Sequence, residues 1–230
     1  MNKFTYTGPP KSLKKIPKKT GKSTFLIDEC VFILNSSRPM NGLKRLNSPL
    51  TGKNNALFLH IEIIKAVCKK PEIVIVGGFN VKKLIKSPLR DEYIIVENNF
   101  YETSNSAEDL RLGLNASRGS SVFFINAEFI PSYLAYKAVL SDKTKSKVLI
   151  RREISQELGI EISDHKFVHH FSYVTQDKAC GLYFFSAVDS GRLKKKLMGS
   201  SFDKRYFEYE MFDGIKMFPE YDIGNSIKIN

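Results

Sequence analysis

The chain has 230 residues, 42% of them hydrophobic, and 36 Lys and Arg against 24 Asp and Glu give it a net charge of +12. This composition is typical of a globular protein with enough apolar residues for one large core. No apolar run approaches the roughly 20 residues of a membrane-spanning helix, and residues 1–24 are basic and polar, without the apolar stretch of a signal peptide. The sequence therefore predicts a soluble, cytoplasmic protein that is neither secreted nor membrane-spanning.

The cysteines agree with a reducing compartment. Cys30, Cys68 and Cys180 are odd in number, far apart and set among apolar residues. Such cysteines are typical of buried thiols rather than of a disulfide framework, and the sequence has neither a CxxC pair nor a zinc-binding pattern.

The positive charge is concentrated near the start of the chain. Residues 11–22 contain six lysines and no acidic residue, and Pro9, Pro10 and Pro17 lie within or beside them. We expect residues 1–22 to form a basic, flexible arm, and residues 23–230 to form the folded domain. The arm has two interpretations: a solubilising tail, or a contact with nucleic acid or another anionic surface through counterion release.

The first elements are predicted from apolar runs and turn residues. Residues 24–34 form a buried strand, and a long polar loop follows over residues 35–55. Residues 56–69 have apolar side chains at helical spacing. The chain therefore begins with a strand, a loop and a helix.

The same alternation continues through the middle of the chain. We predict strands over residues 73–76, 93–96 and 121–125, and helices over residues 81–85 and 107–116. Strands that alternate with helices indicate an α/β fold with a mostly parallel sheet. Ligands of such sheets bind at the carboxyl ends of the strands, so the residues that follow each strand are the first candidates for a site.

The second half is less regular. Residues 147–151 are predicted as a strand, residues 166–174 and 180–187 as two antiparallel strands, and residues 192–197 and 206–212 as helices. No internal repeat is visible.

Taken in order, these segments resemble the nucleotidyltransferases that join a nucleoside triphosphate to a sugar phosphate or to another small phosphate such as phosphocholine. The resemblance spans about residues 25–230 and rests on the order and spacing of the segments. It implies a Rossmann-like, mixed but mostly parallel sheet flanked by helices, the nucleotide-diphospho-sugar transferase fold. It also implies Mg²⁺ as cofactor and a nucleoside triphosphate and a small phosphorylated acceptor as substrates.

The first loop resembles the signature loop of that family in a modified form. Residues 33–53 read ILNSSRPMNGLKRLNSPLTGK, in which Arg45 is similar to the family's catalytic arginine and Lys53 to its phosphate-contacting lysine. Ser36, Ser37 and Gly42 stand where the family presents backbone N–H groups to the triphosphate. A solvated basic loop without a ligand is the alternative interpretation.

Two later segments resemble parts of the family's nucleotide pocket. Residues 73–79, IVIVGGF, are similar to its second strand and glycine turn, which includes Gly78. Residues 97–110, ENNFYETSNSAEDL, are similar to its N-x-x-Y-x-x-T-N-x-x-x-S-L element. Thr103, Asn105 and Ser106 are therefore candidates for nucleotide binding, although short polar residues at a helix start also serve as ordinary caps.

The metal-binding positions of the family are only partly kept. Residues 122–130, VFFINAEFI, resemble a strand that ends in the family's N-G-D turn, so Glu128 takes the place of the magnesium-binding aspartate. Asn230 takes the place of a second aspartate near the end of the chain. These departures leave two hypotheses open: a magnesium-dependent nucleotidyltransferase, or a related domain without catalysis that binds a partner, with the basic arm contacting nucleic acid.

Other motifs are set aside on their spacing. Residues 152–160 echo the core of a Nudix signature, but Gln156 replaces one of its glutamates. Residues 21–24 echo the end of a P-loop, but they precede a strand instead of following one. The four histidines have no carboxylate or cysteine at the spacing of metal ligands.

Overall fold

The computed structural model describes residues 25–37, 56–79, 81–86, 89–127, 129–162, 168–198 and 220–222. The predicted arm, residues 1–22, and the predicted helix over residues 206–212 lie outside these ranges.

Four parallel strands form one half of the sheet. They are β1 (Ile27–Ser36), β2 (Cys68–Gly77), β3 (Ile94–Glu97) and β4 (Val122–Asn126), in the order β3-β2-β1-β4. β1 pairs with β2 on one side and β4 on the other, and β2 pairs with β3. Runs of β-branched and aromatic residues are favoured in strands that are buried on both faces. This preference explains why the four strands could be predicted from the sequence.

Three further strands extend the sheet beyond β4. They are β5 (Lys147–Ile162), β6 (Val168–Phe185) and β7 (Glu220–Asp222). β6 runs antiparallel to β4 and β5, whereas β7 runs parallel to β5. The seven strands of the described ranges therefore have the order β3-β2-β1-β4-β6-β5-β7.

One prediction about these strands was wrong. Residues 166–174 and 180–187 do not form two strands, because β6 runs through both as one element. β6 pairs with β4 only from Leu182 onward, and Gly181 directly before it has a φ of 74°. A glycine adopts this left-handed conformation without strain, so β6 continues through Gly181 as one strand.

Helices cover both faces of the sheet. In chain order they are α1 (Ala56–Val67), α2 (Val81–Ile85), α3 (Leu89–Glu92), α4 (Ser106–Ala116), α5 (Tyr133–Val139) and α6 (Ala187–Met198). α3 and α5 were not predicted. None of the helices within the described ranges is both long and apolar enough to cross a membrane.

Two apolar layers hold the helices to the sheet. On one face, α1 and α5 cover an aromatic cluster in which the Phe123 ring lies 5.1 Å from Phe32, 5.3 Å from Tyr136 and 4.9 Å from Phe184. On the other face, α4 and α6 pack on β1, β2 and β4. The expected α/β fold with a mixed, mostly parallel sheet is confirmed.

Candidate functional site

The sheet has a topological switch point between β1 and β4. From the central strand β1 the chain moves outward to β2 and β3 and then returns to the other side of β1 as β4. Asn35 of β1 pairs with Asn126 of β4, and the Ala127 amide donates to the Asn35 carbonyl over 3.0 Å. In open α/β sheets such a switch point forms the ligand crevice. We name this end of the sheet the carboxyl edge, formed by residues 36–37, 77–79, 97–105 and 126–127.

Two buried serines lie at the carboxyl edge, at the end of β1. Ser36 and Ser37 are 4% and 1% exposed. The Ser37 hydroxyl donates to Asp109 Oδ2 over 2.7 Å and lies 3.2 Å from Asn35 Oδ1. Ser37, a predicted nucleotide-binding residue, is therefore held in a fixed orientation.

Gly78 lies where three chain segments meet. The Phe79 amide donates to the Ser37 carbonyl over 2.7 Å, and the Asn98 amide donates to the Gly77 carbonyl over 2.7 Å. A Cβ atom at Gly78 would lie 2.5 Å from the Ser37 carbonyl oxygen and would overlap the Tyr101 side chain. Only glycine permits this close approach of the segments that follow β1, β2 and β3.

The segment after β3 folds around the side chain of Asn98. Its Oδ1 accepts from the Phe100 amide over 2.9 Å, and its Nδ2 donates to Ser104 Oγ over 3.0 Å and to Asp109 Oδ1 over 2.7 Å. Asn98 is only 1% exposed. This side chain thereby ties the turn after β3 to helix α4.

The three predicted nucleotide-binding residues of this segment have different environments. Asn105 is the N-cap of α4, and its side chain accepts from the Ala107 amide. Thr103 is exposed, and its hydroxyl donates to the Phe100 carbonyl over 3.3 Å. The Ser106 hydroxyl is buried without a hydrogen-bond partner among the described residues. All three lie at or just before the start of α4, where the Ala107 and Glu108 amides already donate to Asn105.

Sequence reasoning did not select Asp109, whose carboxylate lies at the centre of these bonds. The residue is 1% exposed and belongs to the first turn of α4, where a negative charge interacts favourably with the helix dipole. An acid in a first turn is visible in a sequence. Its bond to Ser37 is not, because the two residues are 72 positions apart.

A buried histidine contacts the turn after β4. His60 Nε2 of α1 lies 3.0 Å from the Ala127 carbonyl oxygen, and burial lowers the pKa of His60 to about 4. The neutral ring therefore donates from Nε2 to this carbonyl. The Phe129 amide also donates to the Asn126 carbonyl, over 2.9 Å. The residues on both sides of position 128 are thus fixed at the carboxyl edge, next to the end of β1.

Several predicted site residues lie outside the described ranges. They are Gly42, Arg45, Lys53, Glu128 and Asn230. Within the described ranges, no group of three or more His, Cys, Asp and Glu side chains is arranged to hold a metal ion. Because Glu128 lies outside the described ranges, magnesium binding at this residue stays a prediction.

Solved structures with the same arrangement of elements are nucleotidyltransferases. A CTP:phosphocholine cytidylyltransferase from Streptococcus pneumoniae superimposes with a TM-score of 0.62 over 86% of this chain and 91% of that one, at 17% identity. The inositol-1-phosphate CTP transferase from T. maritima gives 0.56 over 86% of both chains at 16% identity. A CMP:2-keto-3-deoxy-manno-octonic acid synthetase complexed with CTP gives 0.57 over 87% and 93% at 9% identity.

Sequence comparison adds nothing to this result, because neither a family profile nor a curated protein matches the chain significantly. The resemblance inferred from the order of the segments agrees with the superpositions over most of each chain. The chain has the nucleotide-diphospho-sugar transferase fold.

Proposed function

We propose that the protein is a magnesium-dependent nucleotidyltransferase, which joins a nucleoside triphosphate to a sugar phosphate or similar small phosphate and releases pyrophosphate. The observation that carries the proposal is the carboxyl edge at the switch point of the sheet, with buried Ser37, the close approach at Gly78 and the start of α4. Nucleotides bind at this position in open α/β sheets. The similar solved structures, three of which are named for CTP or CMP chemistry, support the same conclusion.

The proposed binding groups are the residues that follow the strands and those at the start of α4. The nucleotide lies across the ends of β1 and β2, beside Ser36, Ser37 and Gly78, and Gly42 of the basic loop contributes a further backbone N–H group. Thr103, Asn105 and Ser106, which have short polar side chains, contact its base or ribose at the start of α4. The triphosphate carries the charge that the basic loop, residues 38–53, neutralises.

Catalysis in this reaction consists of positioning and charge neutralisation. An oxygen of the acceptor phosphate attacks the α-phosphorus and the bond to the pyrophosphate oxygen breaks, with Arg45 and Lys53 stabilising the charge on the phosphate oxygens. Magnesium takes one or two carboxylates together with phosphate oxygens and water, so a single carboxylate at Glu128 fits the ion. The ion would supply further neutralisation of the phosphate charge.

Thermal unfolding with nucleotides tests the donor site. We expect the melting temperature to rise with one nucleoside triphosphate in the presence of Mg²⁺, because a ligand that binds only the folded state stabilises it. CTP is the first candidate, followed by UTP, GTP, ATP and dTTP, and pyrophosphate release with phosphocholine or inositol 1-phosphate reports turnover. In the variant Glu128→Ala, the part of the shift that requires Mg²⁺ should disappear.

The matched control for this variant is Glu62→Ala, which removes an exposed carboxylate from helix α1, outside the carboxyl edge. Its nucleotide shift should equal that of the wild type. If no nucleotide at millimolar concentration raises the melting temperature, the enzyme proposal fails, and a binding domain without catalysis becomes the better explanation.

The basic arm predicts a separate property. Deleting residues 1–22 should leave nucleotide-dependent activity unchanged and should weaken binding to a single-stranded or double-stranded DNA probe. Because lysine–phosphate contacts release counterions, the affinity of the full chain should also fall steeply between 50 and 200 mM salt. Fluorescence anisotropy of labelled DNA measures both effects, and equal DNA affinities of the two chains would show that the arm only aids solubility.

A further inference from the structure

The carboxylate of Asp109 is a buried charge that the proposed reaction does not use directly. One oxygen accepts from the Ser37 hydroxyl and the other from Nδ2 of the Asn98 side chain, both over 2.7 Å. These short bonds have the geometry of charge-assisted hydrogen bonds. Asp109 therefore fixes two side chains that belong to two different strand ends.

Through Ser37 and Asn98, whose backbone groups make further bonds, Asp109 is connected to all three segments on its side of the carboxyl edge. The Ser37 carbonyl accepts from the backbone N–H of Phe79, and the backbone N–H of Asn98 donates to the Gly77 carbonyl, each over 2.7 Å. The ends of β1, β2 and β3 are thus joined to the first turn of α4. Ser37 is also the residue directly before the basic loop, residues 38–53.

Burial of a carboxylate is a costly way to stabilise a fold. Removing the charge from water costs free energy, and hydrogen bonds return only part of it. Buried polar networks are instead suited to fixing one geometry, because each donor and acceptor has a defined direction. A network of this kind at the ends of three neighbouring strands suits a reaction whose catalysis depends on positioning.

We propose that Asp109 is a positioning residue for the nucleoside triphosphate. It holds Ser37 and Asn98, and so the ends of β1, β2 and β3 beside the start of α4, in the arrangement that binds the nucleotide. This inference rests on the proposed function, and it assigns to Asp109 a role in binding the donor and none in binding the acceptor.

The variant Asp109→Asn tests the role, with Glu108→Gln as its matched control. An amide at position 109 turns a donor toward Ser37 or Asn98, which are themselves donors in the wild type. Glu108 belongs to the same helical turn and is also buried, but its carboxylate pairs with Arg111 within α4 at 2.5 Å and 2.7 Å. Both variants remove one negative charge from the first turn of α4, but only Asp109→Asn disturbs the hydrogen bonds of the carboxyl edge.

Steady-state kinetics distinguishes the outcomes. The assay contains Mg²⁺, the nucleotide that stabilises the wild type and the acceptor that the wild type turns over. In Asp109→Asn we expect the KM for the nucleotide to rise about tenfold, as for the loss of one charged hydrogen bond. The KM for the acceptor and kcat should stay within about twofold of the wild type. A merely structural role would instead lower the amount of active enzyme and leave both KM values unchanged.

Ser37→Ala provides a second measurement that does not depend on how Asp109→Asn folds. It removes the hydroxyl donor and leaves the Asp109 carboxylate bonded to Asn98. In the double variant, the KM for the nucleotide should be no higher than in the more impaired single variant. An unchanged nucleotide KM in Ser37→Ala or Asp109→Asn, or an equal rise in Glu108→Gln, would overturn the positioning role while the transferase proposal stands. A wild type without nucleotide-dependent turnover would overturn both.

Discussion

Replacing Gly78 with alanine should lower the free energy of unfolding by about 2 kcal/mol and remove the stabilisation by nucleotides. The new methyl group would lie 2.5 Å from the Ser37 carbonyl oxygen and would overlap Tyr101. One of these neighbours is backbone, so the clash is relieved only if the ends of β1 and β2 separate. That movement breaks the bond from the Phe79 amide to the Ser37 carbonyl, and with it the proposed donor site.

Gly191→Ala is the matched control for this substitution. Gly191 is exposed in the interior of α6, and a Cβ atom there meets nothing within 4 Å. Alanine should stabilise the helix by about 0.5–1 kcal/mol and leave nucleotide binding unchanged. Urea unfolding of the three proteins and melting temperatures with the active nucleotide measure the effects. A Gly78→Ala protein as stable as the wild type would show that the segments do not meet as closely as described.

The parallel half of the fold was predictable because its signals are local. Each of β1, β2 and β4 contains a run of apolar, mostly β-branched or aromatic residues, and the start of α4 carries a polar cap, Asn105, that the structure confirms. The long strand β6 was divided into two because polar residues lie in its middle. Those residues lie beyond the pairing with β4, so nothing in a local pattern indicates that the strand continues.

The short helix α5 was missed for a related reason. Its seven residues, Tyr133–Val139, are too few for a clear apolar period, although Ser132 caps it by accepting from the Ala135 amide. Its stability comes from packing, since Tyr136 lies against Phe32 and Phe123. Tertiary contacts of this kind outweigh local propensity in short helices.

The candidate site was predictable in position but not in its internal bonds. Ser37 and Gly78 were identified because they follow strands, and the structure brings them together at the carboxyl edge. Asp109 and His60 were not identified, because their partners are 72 and 67 residues away in the chain. Spacing along a sequence identifies residues at the ends of elements, whereas it carries no information on which ends share a hydrogen bond.

His60 should make the stability of the protein depend on pH below neutrality. Burial lowers its pKa in the folded protein to about 4, from an ordinary value of 6.5. The unfolded chain therefore binds a proton at a pH at which the folded protein does not. This difference in pKa contributes its full stabilisation above pH 6.5. As the pH falls toward 4, the free energy of unfolding decreases by about 3 kcal/mol on this account.

The variant His60→Gln separates this contribution from that of every other titrating group. A glutamine amide retains a donor for the Ala127 carbonyl but takes up no proton. Between pH 7.5 and pH 5, the wild type should lose about 2 kcal/mol more of its free energy of unfolding than the variant, as measured by urea unfolding at each pH. If the two proteins lose stability in parallel, His60 accepts a proton in the folded state as readily as in the unfolded one. Its ring would then not be sealed between α1 and the turn after β4, and the bond to Ala127 would not hold the residues beside position 128 in place.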